Sequence, residues 1–319
     1  MTGPALLQQD QGLKAEIRDL RYHPYEGPRL VGSRAWIIAS AGLRQVTKSR
    51  WTKWLAASSL AITAGFGLAM YLAIKVKQVT HGMVSAQTMP NHVMKQLLTA
   101  NRYVADGILV NATVIGFFAA LIAAGPAIAD DLKGGGLHFH FSRPVTTSDY
   151  VLGKLLPTII AVWVMALIPA LVLGLLRTML SPSGESLWKP LEVLGRGLLL
   201  SGLAAIFMAV PAVAMSAVTK RKGVARLLWA ALFLLGGAAS GVAVGVTKNL
   251  QWAVISISEA VKAVGYGIFS LPWPPRGHHG LSQGSGSTWI WGLVSASVYV
   301  LLGLALVTWR VSRTRRSST

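Results

Sequence analysis

Long apolar runs alternate with short polar links along most of the chain. A helix needs about 20 residues to cross the roughly 30 Å of hydrocarbon in a bilayer, and six runs meet this requirement. The pattern therefore predicts an all-α membrane protein with six transmembrane helices. We place these spans near residues 54–74, 107–129, 155–176, 195–218, 227–246 and 289–309. Only residues 219–226 separate the fourth span from the fifth, so we expect these two spans to form an antiparallel hairpin.

A segment at 34–50, just before the first span, has a modest amphipathic pattern. Its apolar face is formed by Trp36, Ala39, Leu43 and Val46. Such a pattern suits a helix that lies in the inner membrane interface. The alternative is that 34–50 is only the cytoplasmic start of the first spanning helix. We divide the chain into a cytoplasmic N-terminal segment, 1–33, and a six-helix transmembrane domain, 34–319.

The segment 248–269 has a clearer helical period. Its apolar residues recur at alternating spacings of four and three, and they are Leu250, Val254, Ile257, Val261, Val264 and Ile268. Polar residues take the other side, which is the pattern of an amphipathic helix. We predict an external amphipathic helix at this place before the last span. The prolines that follow it end the helix, because proline cannot continue one.

Composition supports a membrane protein. The 319 residues are 53% hydrophobic and only 13% charged, whereas soluble domains carry about 25% charged residues. The chain has no Cys, which excludes disulfides and thiolate metal sites. The first thirty residues lack an apolar core, so we expect no cleavable signal peptide.

The net charge of +19 fits a membrane surface better than a nucleic acid. No basic stretch coincides with the pattern of a nucleic-acid-binding fold, so we expect no nucleic-acid partner. If the N-terminus is inside, Lys and Arg divide about two to one in favour of the inner segments. Cytoplasmic loops carry this excess, so we predict that both termini are cytoplasmic and that the basic links lie near anionic lipid.

The sequence lacks the usual signatures of an enzyme or a self-powered transporter. It contains no G-x-x-x-x-G-K-[ST] run and no H-E-x-x-H. Asp106 lies at the outer edge of the second span, and nothing ionisable falls in mid-membrane, where a proton-coupled transporter needs such groups. We therefore expect no catalytic residue and no cofactor on this chain.

Residues 130–154, which we call the elbow, form a polar link between the second and third spans. Asp130 and Asp131 end the second span, and Gly134–Gly136 break it. We expect Thr147 to cap the next helix, with Asp149 in the first turn favoured by the helix dipole. A structured elbow with aromatic, basic and acidic side chains suits docking to a soluble partner. The alternative is a solvated turn.

His138 and His140 alternate within the elbow and would share one face of a strand. With Asp130 or Asp131 they are conceivable metal ligands. Further ligands are missing nearby, so we expect no metal and interpret both as polar residues at an aqueous interface.

The elbow resembles a motif of the ABC-2 permease family, the membrane subunits of ATP-driven ABC exporters. In that family an acidic residue ends the second span. A Gly-Thr-Leu-like turn follows, and then a run close to Leu-Ser-Arg-Pro-Val-Ser-Arg-x-x-Tyr-Val-Leu-Gly-Lys. The residues that match are Asp130 or Asp131, Gly135, Leu137, Ser142, Arg143, Pro144, Val145, Tyr150, Val151, Leu152, Gly153 and Lys154. Departures are His138 in place of a frequent acidic residue, Thr147 in place of a frequent Arg, and the Phe139–Phe141 run.

The resemblance implies a division of labour between chains. A separate ABC ATPase, which would carry ATP and Mg²⁺, would dock on the elbow of each permease. Two permease chains, identical or different, would face two ATPase chains in a bacterial plasma or inner membrane. The residues expected to form this ATPase-coupling elbow are Asp130, Asp131, Gly135, Leu137, Arg143, Pro144, Asp149, Tyr150, Gly153 and Lys154. The alternative function is a force-transmitting subunit of an envelope assembly or maturation machine without bulk transport.

Overall fold

The computed structural model of the chain describes residues 33–83, 100–135, 145–180, 188–271 and 288–316. Every regular element in these ranges is a helix. Six helical segments are long and apolar enough to cross a membrane, which confirms the predicted all-helical, six-span fold. They are Arg50–Lys75, Ala100–Gly134, Thr147–Met179, Leu191–Val218, Lys222–Thr247 and Thr288–Arg313.

The helices extend past the predicted apolar runs, because a helix continues beyond the hydrocarbon into polar residues. Numbered along the chain, they are α1 (Arg34–Lys48), α2 (Arg50–Met83), α3 (Ala100–Val110), α4 (Gly116–Ala127), α5 (Ala129–Gly134), α6 (Thr147–Met179), α7 (Trp188–Val218), α8 (Lys222–Thr247), α9 (Ile257–Ile268) and α10 (Thr288–Arg316). The second and fourth spans are the most buried and form the centre of the bundle.

The second span is not a regular α-helix. A π-helical turn, Asn111–Ile115, joins α3 to α4. Near the elbow, Pro126 lies within α4, and Ile128, at φ −116°, separates α4 from α5. Proline removes a backbone donor and disturbs the turn around it, so the second span reaches the elbow through a break at Ile128.

The third span, α6, contains Pro169, which has no N–H to donate to the carbonyl four residues earlier. That carbonyl belongs to Met165 and accepts a 3.2 Å hydrogen bond from Ser59 Oγ of the first span. Ser59 is fully buried. A backbone group freed inside the membrane is therefore satisfied by a neighbouring span, as such groups must be in lipid.

The segment before the first span is a separate helix rather than the start of α2. Ser33 caps α1 through its side chain, and Ser49, in an extended conformation, ends it. The face that α1 turns toward α6 includes Ala35, Ile38 and Gly42. Of the predicted apolar residues, Ala39 is buried and Trp36 is 51% exposed.

The prediction of a single amphipathic helix over 248–269 is wrong in one respect, because the segment forms two helices. A 3-10 helix, Leu250–Ile255, ends at the extended Ser256, and α9 then begins. The last span makes the break possible: Ser295 Oγ donates to Val254 O at 2.6 Å and Tyr299 Oη to Ile255 O at 2.7 Å. The predicted apolar side is confirmed as buried for Leu250, Val254, Ile257, Val261 and Val264.

Candidate functional site

The elbow lies where the second span ends and the third begins. The structure describes its two sides, up to Gly135 and from Val145 onward. Three of the predicted site residues, Leu137, Arg143 and Pro144, lie outside the described residues, as do His138 and His140. The remaining seven belong to α5, to its C-terminal cap and to the first two turns of α6.

Three of these residues form a buried cluster, the elbow triad, that joins the two spans. Tyr150 Oη donates to Asp131 Oδ2 at 2.7 Å, and Lys154 Nζ lies 2.7 Å from the same oxygen. Lys154 Nζ also lies 5.7 Å from the centre of the Tyr150 ring. Tyr150 is completely buried, and the Asp131 and Lys154 side chains are 18% and 19% exposed. A carboxylate this shielded needs a cation and hydrogen bonds to offset its desolvation.

The spacing within α6 explains why one carboxylate reaches both partners. Tyr150 and Lys154 are four residues apart and therefore lie on the same face of a helix. This face meets Asp131 of α5. Tyr150 is thus too deeply buried to contact a partner protein, and its contribution to a coupling site would be to hold the elbow in place.

Asp130 and Gly135 shape the first side of the elbow. Gly135 ends α5 in the left-handed conformation, at φ +69°, which favours glycine. The Gly135 N–H donates to Asp131 O. The helix therefore ends one turn after Asp131, whose carboxylate belongs to the triad. Asp130 is half-buried, whereas Lys133, Gly134 and Gly135 are exposed.

The second side of the elbow begins with a capping box, and the cap is Thr146 rather than the predicted Thr147. Asp149 N donates to Thr146 Oγ1 at 3.1 Å, and Thr146 N donates to Asp149 Oδ2 at 3.2 Å. Asp149 is in the first helical turn, as predicted. The sequence placed the cap one residue late because Thr146 and Thr147 are both suitable capping residues, and only the backbone geometry distinguishes them.

Gly153 is a packing site between α6 and α1. A Cβ atom at this position would lie 2.7 Å from Ile38 Cβ and 2.9 Å from Ala35 O. Both separations are shorter than atoms tolerate, so the absence of a side chain lets α1 lie directly on the first turns of the third span. The elbow is therefore in contact with the helix that precedes the first span.

The fourth span supports the break in the second. Ser216 Oγ accepts from Ile128 N at 2.8 Å and from Ala129 N at 3.2 Å. Ser216 is fully buried. It thus acts as the N-terminal cap of α5 from a distant part of the chain. Sequence analysis missed it, since a single Ser within an apolar run gives no sign of such a long-range contact.

A second triad lies at the opposite end of the second span. Tyr266 of α9 donates a hydrogen bond to Asp106, and Arg102 Nε lies 3.7 Å from Asp106 Oδ2. Burial raises the pKa of the Tyr266 hydroxyl above its ordinary range, and the Asp106 carboxylate raises it further. The i,i+4 spacing of Arg102 and Asp106 was the one available sequence signal, but it did not indicate Tyr266 as their partner.

Metal-binding geometry does not arise within the described ranges, where no group of three or more His, Asp or Glu residues is placed to hold an ion. The residues of the elbow triad contact one another and are largely shielded from water. Their arrangement connects the two spans.

Fold and site together define a multi-pass helical membrane protein whose second and third spans contact each other through the two described sides of the elbow. The family model described as "ABC-2 family transporter protein" matches residues 36–273, about three quarters of the chain. The chain belongs to this family, and it is therefore an ABC transporter membrane component, a class that in general acts with an ABC ATPase. Among curated proteins, none matches the sequence.

Proposed function

We propose that this chain is a permease subunit that couples ATP hydrolysis on a separate ABC ATPase to export of a substrate across a bacterial plasma or inner membrane. The elbow would be the docking site, on the cytoplasmic side, and both termini would share that side. ATP and Mg²⁺ would be bound by the ATPase, and two permease chains would face two ATPase chains.

The elbow triad is the observation that carries this proposal. A partner that moves the elbow can only move a span if the elbow is rigidly attached to it. Asp131 supplies that attachment, since one carboxylate oxygen contacts both Tyr150 and Lys154 across the two spans. A solvated turn, the alternative considered from the sequence, would not need three side chains shielded from water.

The exposed part of the elbow gives a partner something to bind. Thr146, Ser148, Lys133 and Gly134 are exposed around the buried triad. Asp149, which is half-buried, adds an acidic group to this surface. Its carboxylate is held in one orientation by Thr146, whose hydroxyl donates to Asp149 Oδ2 at 2.7 Å. A fixed charge on a rigid helix start favours specific docking over loose electrostatic attraction.

The test is ATP hydrolysis by the complex of this chain with its ATPase in lipid vesicles. Asp149→Asn and Arg143→Gln should each lower the stimulation of hydrolysis several-fold while leaving membrane insertion intact. Glu192→Gln is the matched control, because Glu192 is paired with Arg196 at the opposite end of the bundle. Normal stimulation by both elbow variants would remove the docking assignment.

Substrate export and a purely mechanical role are separated by the same vesicles. An exporter should hydrolyse ATP faster when a lipid, peptide or drug of the right kind is added. A force-transmitting subunit should respond instead only to its assembly partner.

A further inference from the structure

The short link between the fourth and fifth spans, residues 219–226, carries four cations in eight residues, and we call it the basic corner. Its cations are Lys220, Arg221, Lys222 and Arg226. The first three are exposed, while Arg226 is half-buried against the second span. Exposed cations at a span end are common in membrane proteins, so the placement of Arg226 is what distinguishes this corner.

The side chain of Arg226 lies flat on Gly125, directly before Pro126 and the break at Ile128. A Cβ atom at Gly125 would be 2.8 Å from both Cγ and Nε of Arg226. The Nε atom is buried and has no hydrogen-bond acceptor among the described residues. A shielded N–H of a charged group is costly to leave unpaired. The Arg226 side chain as a whole is half-buried, so an acceptor from outside the chain can reach the rest of its guanidinium.

The 219–226 link also offers donors and contains no acidic residue. The first turn of α8 contains no acidic residue, and its N-cap, Arg221, makes no capping hydrogen bond through its side chain. The Thr219 hydroxyl is already used, since Oγ1 accepts from Arg221 N at 3.2 Å. The start of α8 adds its own partial positive charge to that of the four cations.

The neighbouring surface is apolar, which points to lipid. Val224 and Leu227, on either side of Arg226 in the chain, are 40% and 68% exposed. Apolar side chains beside a cationic corner suit the boundary between acyl chains and headgroups. A docking site for a soluble protein would instead present mainly polar side chains around the cations.

We propose that this corner binds the phosphate group of an anionic phospholipid, held by Arg226 and by the cations of the 219–226 link. A guanidinium presents paired donors that match phosphate oxygens. The bound lipid would lie beside Gly125 and Pro126 and would support the end of the second span where it turns into the elbow. The inference rests on the proposed orientation, which directs the corner to the cytoplasmic leaflet, where anionic lipids attract basic segments.

The test uses the purified full-length chain without any ATPase, in mixtures of phosphatidylglycerol and phosphatidylcholine. Native mass spectrometry measures how many molecules of each lipid stay bound. The wild type should retain phosphatidylglycerol preferentially, and Arg226→Gln should reduce that preference about five-fold. Arg226→Lys should keep part of it, since it keeps the charge but not the forked donors. Lys189→Gln, an exposed cation at the opposite end, is the matched control.

A variant that alters only exposed residues guards against misfolding of Arg226→Gln. Lys220→Gln, Arg221→Gln and Lys222→Gln, combined, should also reduce the preference. Unchanged lipid preference in both the Arg226 and the triple variant would overturn the proposal. A thermal unfolding scan of the same chain adds a second comparison. If inorganic phosphate raised the melting temperature as much as phosphatidylglycerol does, the proposal would also be overturned, because the corner would then bind a free anion rather than a lipid. In a separate binding measurement with the ATPase, loss of binding by the triple variant together with normal lipid preference would overturn the proposal and assign the corner to a protein partner. Because no ATPase is present in the lipid measurement, its failure leaves the proposed function standing.

Discussion

Tyr150 Oη donates a 2.7 Å hydrogen bond to Asp131 Oδ2 across 19 residues of sequence, and this contact joins the start of the third span to the end of the second. Lys154 completes the junction from the next turn of the same helix. The junction is buried, and the docking surface around it is exposed. Any force applied to the elbow would therefore reach both spans together.

Removing the Tyr150 hydroxyl should weaken this junction while the aromatic ring keeps its packing. Tyr150→Phe loses one hydrogen bond, which costs about 1 kcal/mol of unfolding free energy. Asp131→Ala should cost more, about 3 kcal/mol, because Lys154 would be left shielded without a counter-charge. Denaturant unfolding in detergent measures both values. Tyr299→Phe is the control, since Tyr299 bonds to a carbonyl far from the elbow. In vesicles with the ATPase, Tyr150→Phe should lower the stimulation of ATP hydrolysis more than Tyr299→Phe does. Equal effects of the two variants on this stimulation would contradict a specific role for the junction.

Ser216→Ala should destabilise the break in the second span. The change removes the acceptor of two backbone N–H groups, those of Ile128 and Ala129. We expect a loss of about 2 kcal/mol, the cost of leaving buried donors unsatisfied. Ser240→Ala is the comparison, because the buried Ser240 hydroxyl donates to Gly237 O within its own helix. A thermal scan that shows no larger shift for Ser216→Ala than for Ser240→Ala would exclude the capping role.

Gly153→Ala should separate α1 from the third span. The added methyl would meet Ile38 and the carbonyl of Ala35 at less than contact distance. Such overpacking costs about 1–3 kcal/mol. Gly134→Ala, where an added Cβ meets nothing within 4 Å, is the control. Proteolysis within residues 34–50 should accelerate in the first variant only, and protection equal to the wild type would show that α1 is held by other contacts.

The sequence predicted the six spans because each apolar run is long enough to be recognised without tertiary information. It also predicted a polar link between the second and third spans. Which residues of that link couple to an ATPase stays a prediction, made from the resemblance to a family motif. The sequence did not predict the break at Ser256, which depends on hydroxyls of Ser295 and Tyr299 about 40 positions away. The same reason explains why Ser216 and Tyr266 were missed. Long-range polar contacts inside a membrane bundle use single residues, which leave no periodic pattern.

The proposed orientation can be checked with single thiols, since the natural chain has no Cys. Ser148→Cys places a thiol on the exposed surface of the elbow, and Lys189→Cys places one at the opposite end of the fourth span. In intact cells, a membrane-impermeant maleimide should label position 189 and leave position 148 unlabelled until the cells are opened. The reverse labelling would invert the topology and move the docking surface outside.

Site-specific cross-linking from Ser148→Cys tests the central claim most directly. The chain and its ATPase are co-expressed, and a short thiol-to-amine cross-linker is added to membranes. The account predicts a covalent product between the two chains from position 148, with none from Lys189→Cys. Capture of the ATPase only from position 189, or from neither position in a complex that still hydrolyses ATP, would contradict the assignment of residues 130–154 as the coupling elbow.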